Sequence, residues 1–190
     1  MAKPTKSSNW GVWGDADERG AANFITPEIL QKAGGLIRRG HVYSPSMPLS
    51  ARESPVYEGR TPIVHMMSVD GGDYAAGAEG DDGFKHADDY IAMFTHTGTH
   101  IDALAHVWYD DEIYNGYPAN TVRSSGAPRC GIDKLRHLVG RGVLLDLPGY
   151  RNVKHLSGDD VIQPEELEAC AKAQGVELRR GDILLIAPAG

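Results

Sequence analysis

The chain has 190 residues, 41% of them hydrophobic and 24% charged, which suits a soluble globular domain large enough to build a core. A formal net charge of −7 argues against nucleic acid as a partner, because phosphate binding needs a basic face. No stretch approaches the roughly 20 apolar residues of a membrane span, and the opening MAKPTKSSNWG lacks the apolar run of a secretory signal. Cys130 and Cys170 stand in no metal-type spacing, so free thiols and a cytoplasmic location are expected.

In sequence order, the first expected element is a helix from about Pro27 to Arg39. Thr26 can cap it, Pro27 suits the first helical position and Glu28 favours the positive end, while Gly34-Gly35 weakens the second half. Short apolar runs predict strands at 42–47, 62–69 and 90–96. Between the last two, residues 70–89 are rich in Gly and Asp and read as a long loop, a place where lids and binding loops occur. The run GVLLDL at 142–147 predicts a buried strand. Pro164 opens a helical pattern that Gly175 closes, and DILLIA at 182–187 predicts a second buried strand. Strand, helix and strand in that order predict a right-handed parallel βαβ unit, so the fold class is α/β, a mixed sheet ending in that unit.

The informative segment is FTHTGTHIDALAH, residues 94–106. Eight histidines spread over the whole length would place roughly 0.5 in an 11-residue window; residues 96–106 hold three, with an aspartate among them. Imidazole with carboxylate is a donor set for divalent cations. In an extended segment His96, His100, Asp102 and His106 share one parity and hence one face. Thr97 and Thr99 favour extended backbone, and Gly98 permits a bend or a close approach. A helix would keep His96 and His100 together but swing Asp102 away, so the extended or turn-like conformation is expected. Two imidazoles and a carboxylate leave positions open for a reacting water, and His106 is then the candidate proton shuttle.

His96-Thr97-Gly98-Thr99-His100-Ile101-Asp102-Ala103-Leu104-Ala105-His106 resembles the HxGTHxDxPxH signature of the metal-dependent cyclase family, which includes bacterial kynurenine formamidases and isatin hydrolases. The opening Asn9-Trp10-Gly11-Val12-Trp13-Gly14, followed by Asp17-Glu18-Arg19-Gly20 and Asn23, resembles the NWGRWG…DERG…N start of the larger members, and Asp182–Ile186 is similar to their GDVLL strand. The resemblance implies a single cyclase-like domain over 1–190 with a mixed sheet core of the β/β/α (swivelling) type, usually oligomeric. It implies zinc or manganese, one or two ions, held by His96, His100 and Asp102, with Asp102 bridging where there are two. His106 becomes the catalytic acid/base, and the substrate a small amide or lactam whose C–N bond is hydrolysed.

Two departures from the signature stand out. Leu104 replaces its proline, and the sequence ends at Gly190 before any position matching the later His and Glu (or Gln) that complete the family's site. A C-terminally incomplete domain is therefore expected, either a subunit completed by another polypeptide, such as a full-length relative, or a truncated metal-binding member that is catalytically weak or inactive. Asp146, His155 and Glu165 lack the family context and are not promoted.

Trp10 and Trp13 are candidate substrate contacts by the same resemblance, although anchoring of the terminus explains each as well. His65 and His86 read as ordinary polar residues, and Asp110-Asp111-Glu112 as a solvated turn. Asp15–Gly20 echoes a calcium loop, but its twelfth position is Thr26 rather than a bidentate Glu. No phosphate loop, serine elbow or cysteine nucleophile motif is present.

Overall fold

The computed structural model describes residues 8–187, which form two compact units: residues 42–102, and the segments 8–41 and 103–187 together. Helices, 3-10 turns and two small sheets make a mixed α/β architecture. Among the described residues no helix is long and apolar enough to cross a membrane.

In the larger unit, helix α1 spans Pro27–Gly34, with Ile29 N–H donating to Thr26 Oγ1 at 3.4 Å. The cap and Pro27 act as expected, but the helix stops at Gly34 instead of continuing to Arg39. Paired glycines lose too much backbone entropy to carry it further.

Strands β1 and β2 belong to the smaller unit. β1 (Val64–Val69) pairs antiparallel with β2 (Asp88–Ala92), Met66 opposite Tyr90 and Val64 opposite Ala92. The strand expected at 42–47 does not form; Pro45 and Pro48 have no N–H to give to a ladder. The strand expected at 90–96 begins earlier and ends at Ala92, so the histidine segment leaves the sheet before its first ligand candidate. The long loop between β1 and β2 holds structure of its own: α2 (Gly71–Ala75) starts with a reciprocal capping box between Asp70 and Asp73.

The C-terminal part of the larger unit contains β3 (Gly142–Leu145), α3 (Leu147–Arg151), α4 (Pro164–Ala173) and β4 (Ile183–Ile186). β3 and β4 pair in parallel, Val143 opposite Leu184, as the strand–helix–strand order predicts. Val143, Leu145, Leu147, Cys170 and Ala171 form a buried cluster, packed by Leu156, Ile162, Leu167, Val176 and Leu178. Burial along β3 alternates, contrary to the buried run expected from GVLLDL: Leu145 is fully buried whereas Leu144 is 57% exposed. Helix α4 contacts this strand, and the period of two turns every second residue to the opposite face. Gln174, at the end of α4, accepts from Asp146 N–H at 2.8 Å and donates to Leu144 C=O at 3.0 Å, tying helix to strand end. Arg151 donates to both carboxylate oxygens of Glu166 from Nε and Nη2, at 2.6 and 2.7 Å, joining α3 to α4.

A second cluster of the same unit comprises Ala105, Ile113, Ala119 and Cys130, with Tyr114, Tyr117, Val122 and Ala127 around it. Both cysteines are buried and free, as expected.

Candidate metal centre

Residues 93–103 contain no helix or strand and bend at 95–99, the turn-like one of the two conformations expected, with Gly98 in the bend. Their shape is set by residues 47–60. Gly98 adopts φ +67°, and a Cβ there would lie 3.3 Å from Leu49 Cδ2, so this glycine serves both the left-handed turn and the close approach. Met47 N–H donates to Thr99 Oγ1 at 2.9 Å, and Thr97 is buried. Arg60 donates from its guanidinium to the backbone carbonyl oxygen of His96 at 2.8 Å.

The turn brings three side chains together. His96 Nδ1 lies 2.7 Å from Asp102 Oδ1, and His100 Nε2 lies 3.3 Å from the same oxygen. The two imidazoles meet edge to face, ring centroids 5.1 Å apart. All three side chains are partly open to solvent, the carboxylate most, which leaves access for a small molecule. His106 follows Asp102 by four positions in the sequence. A turn closed by His106 N–H donating to Ala103 C=O at 2.9 Å, with Ala105 N–H donating to Cys130 C=O at 3.1 Å, holds His106.

The donor chemistry fits a divalent cation. His100 Nδ1 sits 2.9 Å from Gly98 C=O, which can only accept, so this nitrogen carries the proton. In the neutral ring Nε2 then presents a lone pair toward a carboxylate oxygen 3.3 Å away. Two acceptors facing each other call for a cation or a proton between them. A ring N–H turned to a backbone carbonyl is also the arrangement that orients metal-binding histidines. Ligand atoms held about 2.1 Å from one ion stand roughly 3.0 Å apart at adjacent octahedral positions and roughly 3.4 Å apart in a tetrahedron, and the 2.7 and 3.3 Å separations are close to that range.

The other candidates each have local partners. The Trp10 ring lies over Gly116, and Trp13 meets Phe24 edge to face at 4.9 Å. His65 pairs with Asp89 across the hairpin, and His86 stacks on Phe84 and bonds the Tyr74 hydroxyl. Asp110 and Asp111 occupy left-handed turn positions and are exposed with Glu112. Asp146 caps α3 by accepting from Gly149 N–H at 2.9 Å.

Sequence reasoning missed the internal role of the Asp17-Glu18-Arg19-Gly20 motif. Asp17 accepts from Gly20 N–H at 2.9 Å, Asn23 Nδ2 at 2.6 Å and Tyr114 O–H at 2.8 Å. Glu18 accepts from Cys130 N–H at 2.7 Å and Arg129 at 3.0 Å. Burial alone would raise the Asp17 carboxyl; its hydrogen bonds from Tyr114, Asn23, Gly20 and Arg19 outweigh that and hold it below the ordinary aspartate value. Asn115 accepts from Gly11 N–H at 2.7 Å and donates to Gly14 C=O at 3.0 Å, fastening the tryptophan segment. The charged and amide residues of the motif were a signal of a hydrogen-bonded hub, but their partners lie about a hundred positions away.

The Cyclase family model matches residues 40–188 of this chain. A crystal structure of a novel cyclase is similar to it at 40% identity and a TM-score of 0.85, over 94% of this chain and 61% of that one. The protein thus spans less than two thirds of the solved cyclase's length. No curated protein matches it. With a family match over most of its length and the His/Asp cluster inside the matched region, the chain belongs to the Cyclase family.

Proposed function

We propose that this protein is a metal-dependent hydrolase of a small amide or lactam, an aryl formamide or an isatin-type ring being the model substrates. The observation that carries the reading is the convergence of His96 and His100 on Asp102 Oδ1, in a member of the Cyclase family. His96, His100 and Asp102 would hold one zinc or manganese ion, and Asp102 a second where two bind. The ion would supply Lewis acidity, easing proton loss from water and polarising the amide carbonyl.

The protein's own groups do the rest. Gly98 C=O keeps the proton on His100 Nδ1 and so leaves Nε2 free to ligate. A ring nitrogen of His106 takes the proton from the attacking water and returns it to the departing nitrogen, which leaves as a neutral amine. Trp10 and Trp13 are the candidates for an aromatic contact to the substrate. The same reading carries the family's β/β/α (swivelling) arrangement, a homo-oligomeric state and a cytoplasmic setting.

The test combines metal analysis with turnover. The purified protein is expected to hold one or two zinc or manganese ions per protomer and to hydrolyse an aryl formamide or isatin. A chelator should abolish turnover, and added zinc or manganese should restore it. Protein that stays metal-free under saturating zinc and manganese overturns the proposal.

A further inference from the structure

The ligand segment is irregular backbone, and its peptide groups need partners that no sheet ladder supplies. At His96, the first of the cluster, that partner is a side chain: the Arg60 guanidinium, 2.8 Å from the carbonyl oxygen. Arg60 is half-buried and held on two further sides. Its guanidinium carbon lies 5.5 Å from the centre of the Tyr57 ring and 5.8 Å from that of Phe94. Phe94 stands two positions before His96, so one cation grips the segment at a ring and at a carbonyl.

From this geometry we infer that Arg60 is a positioning residue for the His96–Asp102 cluster, setting the direction of the His96 imidazole through its backbone. The inference rests on the reading of that cluster as a metal centre. It runs against the simplest electrostatic expectation. A guanidinium bound to a ligand residue repels a divalent cation, so a purely electrostatic role predicts tighter metal binding when the charge is removed. A positioning role predicts weaker binding, because the imidazole loses its fixed direction.

The opposite signs make the test. Zinc and manganese affinities are measured by titration of the 190-residue protein, wild type and Arg60→Met, which keeps an apolar stem without charge or donor. Binding about tenfold weaker in Arg60→Met is expected, the size typical of lost outer-sphere support. The cobalt-substituted protein should show altered visible absorption bands, a signature that a loss of stability alone would not produce. Arg60→Lys, with the charge and one donor but no flat face for Tyr57 and Phe94, should recover part of the affinity. Should Arg60→Met fail to fold, Arg60→Lys carries the test, with a severalfold loss expected. Affinity equal to or tighter than wild type in the folded variant, with an unchanged cobalt spectrum, overturns the inference and leaves the metal centre standing. A wild type that binds neither metal overturns both.

Discussion

The phenol of Tyr114 donates to the carboxylate of Asp17 at 2.8 Å, bridging 97 positions of sequence. The bond joins the N-terminal motif to the cluster around Ile113 and Cys130. Burial first, then the neighbouring Asp17, pushes the phenol's ionisation well above its ordinary value, so it remains a donor throughout the neutral range.

Tyr114→Phe removes that donor while keeping the ring. A loss of about 1.5–3 kcal/mol in urea unfolding at neutral pH is expected, the range for a hydrogen bond to a charged group. The pH dependence has a definite sign. Asp17 has a depressed native carboxyl, so its contribution is present above the unfolded value of roughly 3.9 and is lost as pH falls through the lower native one. The gap between wild type and variant should narrow on acidification below about pH 4. A gap that widens there would contradict the charge-assisted bond.

The two thiols should be inert in the folded protein. Cys130 is 1% exposed, and burial first, then Glu18 and Asp17, raises its thiol to about 11. Cys170 is fully buried and also raised, by burial first and then by Asp146 and Glu166. A thiol reagent at pH 8 should label neither until denaturant is added, when two sites per protomer become reactive. Rapid labelling of native protein would show that these clusters open readily.

Gly181 and Gly34 should respond oppositely to alanine. Gly181 has φ +86°, and a Cβ would come within 2.9 Å of Ile29 Cδ1 and 3.0 Å of Phe24 C=O. Gly181→Ala should cost about 2–4 kcal/mol. Gly34 ends α1 with nothing within 4 Å of a Cβ and no positive φ, so Gly34→Ala should be neutral or stabilising by up to about 0.5 kcal/mol. Thermal melts of the two variants check the contrast.

Metal binding should separate the histidines. His100→Ala and Asp102→Asn each remove a proposed ligand and should weaken zinc binding at least about a hundredfold, beyond the outer-sphere range. His65→Ala breaks only an exposed pair with Asp89 on the hairpin and should leave zinc affinity unchanged. Equal zinc affinities in all three variants, measured by competition with a chromogenic chelator, would remove the proposed ligand set.

Local chemistry was readable from the residues themselves. Thr26 and Pro27 announced the start of α1, Gly175 the end of α4, and Gly98 the bend in the histidine segment. The resemblance of residues 96–106 to the HxGTHxDxPxH signature pointed to the cyclase family before any coordinates, and the family match agrees. Propensity misled where a competing local rule won: prolines cancelled the strand at 42–47, and paired glycines shortened α1.

What the sequence determined by itself was therefore the short-range part: caps, turns, and a cluster of donors crowded into eleven positions. Tertiary structure alone decided which face of β3 is covered, that Asp17 answers to Tyr114, and that Arg60 holds the carbonyl of His96. The reason is physical. A hydrogen bond to the next turn is dictated by backbone geometry and leaves a local pattern, whereas a contact across tens of residues depends on how separate elements pack and leaves none.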